Sequence, residues 1–280
     1  MTRRTIGAIW RTAVALLAAS AAMTGQAPTA AAPAQNASEQ DKAAVKQAAY
    51  DYAEGYYEGA ADRMERAVHP ALVKRGLISR EGSAAVLVPM NAETLIEATR
   101  QGGGKQLPSD KRNISFALLD MRDDVASAKI FTSQFNDYLH FVKVDGKWRL
   151  TNVLWQPPSP AGAANAEADK AAIAQMFKDF SEALPAGDAG RFERMTHPEA
   201  ALRSFGPAAP GRFIVREGNR ESFAEAVRLK KAQMPPNPVV TVLDVYDNIA
   251  SVMVTSAVNV SYWHLARQNG QWRVVNRLSR

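Results

Sequence analysis

The 280-residue sequence contains no cysteine, which excludes disulfide bonds, thiolate metal ligands and cysteine nucleophiles. Its four histidines lack the His-x-His and HExxH spacings of metal sites, and neither a Gly-x-Ser-x-Gly elbow nor a phosphate-binding loop occurs. No basic run with interleaved aromatic residues accompanies the formal net charge of +6. The sequence therefore predicts no cofactor, no metal site and no nucleic-acid partner.

The N-terminal residues have the pattern of an export signal. A basic leader with Arg3, Arg4 and Arg11 precedes the apolar stretch Ala13–Met23, which is shorter than the roughly 20 residues that a membrane span requires. We expect a signal peptide over residues 1–27, used by either the general secretion route or the twin-arginine route. The mature protein is then expected to be periplasmic or secreted, with no stable membrane insertion.

Beyond this leader the chain is a tandem duplication. Asp41–Pro70 aligns with Asp169–Pro198 without a gap at 14 of 30 identical positions, and Leu119–Leu154 aligns with Leu243–Leu278 at 12 of 36. Chance would give only a few matches, so we expect two compact modules of ordinary domain size. The predicted organisation is a disordered linker over 28–40, a first domain over 41–156, a linker over 157–168 and a second domain over 169–280.

Each repeat predicts helices followed by antiparallel strands. Apolar residues recur at helical spacing at the start of each repeat, and the final third alternates as strands do. The pairs Asp145-Gly146 and Asn269-Gly270 are typical of tight hairpins. This order indicates an α+β fold, in which a long curved sheet wraps around helices and leaves a cavity between them.

Side-chain alternation in the last strand suggests which face lines that cavity. In repeat 1, Trp148 and Asn152 fall on the same face. In repeat 2 the opposite face carries Arg273 and Arg277, which favours its exposure to solvent. We therefore expect the face with the tryptophan and the asparagine to point inward.

The neighbouring strand places Tyr138 and His140 on one face. If Asn152 shares that face, each repeat holds a polar patch in an otherwise apolar pocket, as ligand sites usually do. The alternative interpretation is structural, with His140 as a hydrogen-bonded core histidine and Asn152 as a strand tie. The counterparts in the second repeat are Tyr262, His264, Trp272 and Asn276.

Asp137 and His140 are the candidates for a general base. Alternation places them on opposite faces, so they are not expected to act as a pair unless a bulge intervenes. Asp137 occurs only in the first repeat, since Ser261 stands at the matching position.

The segments Asp62–Pro70, Val73–Leu77, Asp137–Arg149 and Asn152–Trp155 resemble the lumazine-binding family of the nuclear-transport-factor-2-like (SnoaL-like) superfamily. The resemblance covers nearly all of repeat 1, and repeat 2 is similar but more diverged. It implies two tandem cone-shaped α+β barrels of cystatin-like type, which pack as an intramolecular pseudo-dimer. The superfamily includes ketosteroid isomerases, scytalone dehydratase and SnoaL-like cyclases, as well as members that only bind.

Functions of different classes remain open. The leading hypothesis is a secreted small-molecule-binding protein that holds a lumazine- or pterin-like heterocycle in the first cone. The alternative is a SnoaL-like isomerase, dehydratase or hydrolase with Asp137 or His140 as base, and a third is a scaffold with filled cones. The predicted ligand site comprises Tyr52, Tyr56 and Trp148 as aromatic walls and Tyr138, His140 and Asn152 as polar contacts.

Overall fold

The computed structural model describes residues 37–79, 84–162, 164–232, 238–257 and 259–280. These residues belong to one compact unit. The predicted signal peptide and all but the last four residues of the first predicted linker lie outside them. In the described ranges, no helix combines the length and the apolar character needed to cross a bilayer.

The elements of the two repeats follow the same order, apart from one short 3-10 turn in repeat 1. Repeat 1 contains α1 (Glu39–Glu58), α2 (Ala61–Ala67), β1 (Val68–Ile78), β2 (Val86–Asn91), α3 (Ala92–Arg100), the 3-10 turn (Ser109–Lys111), β3 (Ser115–Arg122), β4 (Val125–Phe131), β5 (Asn136–Val144) and β6 (Lys147–Gln156). Repeat 2 contains α4 (Ala166–Ala186), α5 (Ala189–Met195), β7 (Thr196–Ala209), β8 (Arg212–Arg216), α6 (Arg220–Arg228), β9 (Val239–Tyr246), β10 (Ile249–Thr255), β11 (Val260–Gln268) and β12 (Gln271–Ser279).

Both long helices begin earlier than expected. The Ser38 side chain caps α1 by accepting a hydrogen bond from a backbone N–H of the first turn, so the helix starts at Glu39. This start lies inside the segment 28–40 that the sequence predicts as a linker, and α4 starts at Ala166, inside the predicted linker 157–168. Alanine is the strongest helix former, which explains why an alanine-rich stretch beside a helix extends it.

Each repeat folds into one six-stranded sheet. The strand orders are β2-β1-β6-β5-β4-β3 and β8-β7-β12-β11-β10-β9. All neighbours are antiparallel except β1 with β6 and β7 with β12. In each repeat the long first helix packs on one sheet face and encloses an apolar core. The prediction of two tandem cone-shaped α+β barrels is confirmed.

The predicted hairpin turns are also confirmed. Asp145 and Gly146 have φ values of +50° and +75°, and Asn269 and Gly270 have +51° and +76°. Two consecutive residues at positive φ form the turn that matches the twist of the flanking strands. These turns join β5 to β6 and β11 to β12.

The other faces of the two sheets pack against each other. Apolar clusters with members from both repeats fill this interface. Central polar contacts come in matched pairs: the Tyr138 hydroxyl donates to Asp244 at 2.7 Å and the Tyr262 hydroxyl donates to Asp120 at 2.6 Å. Such reciprocal pairing is the property of a two-fold interface. The repeats therefore contact each other as the subunits of a two-fold dimer do.

Candidate functional site

Strand β6 carries a bulge that changes which side chains face the first cone. Between the pairs His140–Asn152 and Phe141–Leu150, β6 holds one extra residue. Alternation restarts at this point, so Trp148 and Leu150 lie in the core under α1 while Asn152 turns to the opposite face. The prediction that Trp148 and Asn152 share a face is therefore wrong.

His140, Asn152 and Tyr138 lie between the repeats and not in the first cone. The amide nitrogen of Asn152 is 3.2 Å from Nδ1 of His140, and Arg203 of the second repeat donates to its Oδ1 at 3.0 Å. The ring of His140 stacks on that of His264, with 3.5 Å between centroids. The predicted cone location of the three residues is wrong, because β5 presents Tyr138 and His140 on its outer face. The geometry matches the structural interpretation of a hydrogen-bonded core histidine.

The second-repeat counterparts occupy equivalent places. The amide nitrogen of Asn276 is 3.2 Å from Nδ1 of His264, and Arg75 of the first repeat donates to Oδ1 of Asn276 at 2.7 Å. Tyr262 also lies in the interface, whereas Trp272 packs in the core of the second repeat. The interface thus repeats one Arg–Asn–His connection in both directions.

A cavity of about 110 Å³ lies between α1, α3 and the sheet of repeat 1. Tyr52 and Tyr56, predicted as aromatic walls, both line it. Trp148 lies elsewhere in the core, where its Nε1 donates to Asp41 at 2.8 Å, and Trp155 supplies the wall from β6 instead. The complete lining is Tyr52, Tyr56, Lys74, Met90, Leu95, Ala98, Phe135 and Trp155.

The polar end of this cavity is a buried group of three side chains. The Tyr52 hydroxyl donates to Oδ2 of Asp137 at 2.5 Å and accepts a hydrogen bond from Nζ of Lys74. That Nζ lies 3.4 Å from the same carboxylate oxygen and 5.0 Å from the ring centroid of Trp155. Asp137 is fully buried behind Tyr52 and Lys74, and its Oδ1 has no hydrogen-bond partner among the described residues.

Sequence reasoning missed Lys74. The residue lies in β1, where no strand was predicted. A single lysine between Leu72 and Gly76 in a mostly apolar segment was the available signal. Asp137, by contrast, is the predicted candidate for a general base, and it does point away from His140 as alternation predicts.

A family model described as "Putative lumazine-binding" matches the sequence twice, over residues 40–156 and 168–279. The chain belongs to this family. Each match spans one repeat, so the duplication is a duplication of the family's own domain. A comparison with curated proteins finds no match.

Three solved structures similar to this lumazine-binding family member each match less than half of this chain. An NTF-2-like protein of unknown function from Silicibacter pomeroyi DSS-3 is 16% identical, with 44% of this chain and 100% of that chain covered and a TM-score of 0.35. An NTF2-like protein of unknown function from Shewanella baltica OS155 is 20% identical, with 44% and 100% covered and a TM-score of 0.35. An NTF2-like protein with a cystatin-like fold from Novosphingobium aromaticivorans is 17% identical, with 41% and 83% covered and a TM-score of 0.29.

Burial controls the protonation of the polar group in this family member. It lowers the pKa of Lys74 and raises the pKa of Asp137, and the opposite charge of each partner counteracts both shifts. Burial and the adjacent carboxylate hold the pKa of Tyr52 well above its ordinary value, so its hydroxyl remains a donor. The arrangement can offer an N–H group of Lys74 to a carbonyl or ring nitrogen, since the single O–H of Tyr52 already goes to Asp137. In the described part of the chain, no cluster of three or more His, Asp or Glu residues could hold a metal ion.

Proposed function

We propose that this protein binds a small flat molecule, of lumazine or pterin type, in the first cone. The observation that carries the proposal is a buried cation and hydroxyl, Lys74 and Tyr52, at the polar end of an aromatic-lined cavity. Ligand sites combine apolar walls with a few convergent polar groups in this way. The description of the family supports the choice of a lumazine-like ring.

The size of the cavity restricts the ligand. Its volume of about 110 Å³ is below the roughly 300–1,000 Å³ of common ligand pockets. The first cone therefore suits a small planar molecule, and a bicyclic ring enters with a rotamer change of the half-buried Tyr56. Lys74 then donates to a carbonyl or nitrogen atom along one edge of the ring, while the Tyr52 oxygen, whose own O–H goes to Asp137, holds the Lys74 ammonium in place.

Titration with lumazine tests this proposal. We expect saturable quenching of lumazine fluorescence, and about tenfold weaker binding in Tyr52→Phe, because the Lys74 ammonium that donates to the ligand loses the phenol oxygen that positions it. Tyr138→Phe is the matched control, since this tyrosine is equally buried and also donates to a carboxylate, but in the interface. Equal affinity of wild type and Tyr52→Phe, or an absence of saturable binding, would contradict the proposal.

An acid–base enzyme is the second candidate, favoured by the hydrogen-bonded chain of Lys74, Tyr52 and Asp137. Asp137 meets the cavity through Tyr52 and Lys74, so a proton would pass by way of the phenol or the ammonium. His140 lies outside the cavity and has no part in this alternative. Isomerisation of 3-cyclohexen-1-one, which moves a proton from C2 to C4, is the test by ultraviolet absorbance. Turnover that disappears in Asp137→Asn would support the enzyme. An absence of turnover in wild type would exclude an isomerase of β,γ-unsaturated ketones.

We also propose that the protein acts in the periplasm or outside the cell. The basic leader and the apolar stretch Ala13–Met23 support export. Fractionation of cells, with the mass of the mature N-terminus, tests this location. An unprocessed chain in the cytoplasm would contradict it.

A further inference from the structure

The second repeat has a cavity of its own, with a volume of about 320 Å³. It lies between α4, α6 and the sheet, in the same position as the first-cone cavity. Its volume falls within the range of ligand pockets. The lining consists of Phe180, Leu184, Phe223, Ala226, Lys231, Ala232, Val254, Asn259, Ser261, Trp263 and Arg277.

Arg277 is the central polar group of this cavity, although alternation predicted it on an exposed face. A bulge in β12 between Val274 and Asn276 turns Arg277 inward. The bulge in β6 does the same to Val153 in the first repeat. Its guanidinium carbon lies 5.4 Å from the ring centroids of both Phe223 and Trp263. The aromatic rings hold the cation in place.

The Arg277 guanidinium has no carboxylate partner among the described residues. Its Nη2 donates to the Ser279 hydroxyl at 2.8 Å, while its Nε is buried without a hydrogen-bond partner. Burial lowers the pKa of Arg277 to about 10, so the side chain remains a cation at neutral pH. A largely buried cation with unused donors leaves electrostatic and hydrogen-bonding capacity for an anion.

Comparison with the first cone shows where the cations of the two repeats differ. In repeat 1 the cation is Lys74 of β1, which pairs across the sheet with Val153 of β6. In repeat 2 the corresponding pair is Leu202 of β7 with Arg277 of β12. At this paired position the cation lies on β1 in repeat 1 and on β12 in repeat 2. Ser261 stands where repeat 1 has Asp137, the carboxylate that neutralises Lys74.

The remaining polar lining adds no negative charge. Lys231 and Asn259 lie at the cavity, and the Ser261 hydroxyl accepts a hydrogen bond from Nε1 of Trp263 at 2.8 Å. No Asp or Glu occurs among the described lining residues. The second cone is therefore cationic and aromatic, whereas the first contains a neutralised ion pair.

We propose that the second cone binds a small aromatic carboxylate, with its carboxylate on Arg277 and its ring among Phe180, Phe223 and Trp263. The planar guanidinium matches a carboxylate in geometry, and such charge-assisted hydrogen bonds are stronger than neutral ones. This site is separate from the first-cone site of the proposed function.

Calorimetric titration of the mature protein with 2-naphthoate and with neutral 2-naphthamide tests the proposal. We expect wild type to bind the acid about tenfold or more tightly than the amide, because only the acid pairs with Arg277. Arg277→Gln should remove this preference and leave the weak affinity for the amide unchanged. Arg277→Lys should retain part of the preference, because it keeps the charge but not the planar fork.

Tyr52→Phe separates this proposal from the first-cone proposal, since it should leave the affinity for 2-naphthoate unchanged. Equal affinity of wild type for the acid and the amide would overturn the second-cone site, as would unchanged acid binding in Arg277→Gln. If Arg277→Gln does not fold, the proposal is tested by two other measurements. These are the preference of wild type for the acid over the amide and the partial retention of that preference in Arg277→Lys. Loss of lumazine binding in Tyr52→Phe would concern the first cone alone and would leave the 2-naphthoate results of the second cone unaffected.

Discussion

The central contacts between the two repeats match on both sides of the interface, whereas the two cones differ in charge. In the interface, the bond from Tyr138 to Asp244 has its counterpart in the bond from Tyr262 to Asp120. In the cones, the buried lysine–aspartate pair of repeat 1 is replaced by Arg277, which has no carboxylate partner among the described residues. Near the two-fold axis a residue meets its own counterpart, so one change disturbs both repeats. A cone contacts only its own repeat, and it can change alone.

The stacked pair His140 and His264 gives the largest expected effect. Burial lowers the pKa of His140 to about 3, and burial, the neighbouring His140 and Arg75 lower that of His264. An unfolded histidine titrates near 6.5, so the stabilisation is present above that pH and is lost as the pH falls toward 3. The other polar groups around the pair are Tyr138, Tyr262, Asn152, Asn276 and Arg203.

Urea unfolding at pH 7 and pH 5 measures this effect. Each histidine should contribute about 2 kcal/mol over this interval, so wild type should lose about 4 kcal/mol more than the double variant His140→Gln/His264→Gln. Other titrating groups are common to both proteins and cancel in the comparison. The same pH dependence in both proteins would contradict the assignment of acid sensitivity to the interface.

Substitution of each cone's cation by methionine should have opposite effects in the two repeats. Lys74→Met should lower the free energy of unfolding by about 3 kcal/mol, because it leaves Asp137 buried without its ion-pair partner. Arg277→Met should raise it by about 1 kcal/mol, because it removes a buried cation that has no ion-pair partner among the described residues. Urea unfolding at pH 7 measures both, and changes of the same sign would contradict the difference between the cones.

The two interface tyrosines should differ least in how much their substitution lowers the free energy of unfolding. Tyr138→Phe and Tyr262→Phe each remove one hydroxyl that donates to a carboxylate of the other repeat, at a cost of about 1.5 kcal/mol. Because the contacts are reciprocal, we expect the two costs to agree within about 0.5 kcal/mol. Chemical unfolding of the two variants checks this. Costs that differ by several-fold would show that the two reciprocal hydrogen bonds do not contribute equally to stability.

The architecture was predictable because its determinants are local or repeated. The identical positions of the two repeats revealed the duplication, and two dipeptides, Asp145-Gly146 and Asn269-Gly270, located the hairpins. Such signals depend on backbone conformation at a few residues, which the residue types themselves restrict.

The site was predicted only in part because a single inserted residue reverses the alternation of a strand. Tyr52, Tyr56 and Asp137 lie before or outside the bulge, and the structure brings them to the first cone or directly behind its wall. Asn152 and Arg277 follow a bulge, and both were assigned to the wrong face. A bulge has no strong sequence signature, and its position depends on pairing between strands that are distant in the chain.

The strand synthesised last in each repeat occupies the middle of its sheet. β6 separates β1 from β5, and its parallel pairing joins Val73 to Asn152. A growing chain therefore carries the β1–β2 hairpin without the second partner of β1 until residues 147–156 have emerged. Such long-range pairing slows folding, and it exposes strand edges in the meantime. Each repeat can thus complete its sheet only after its last strand has been made, and this delay occurs twice along the same chain.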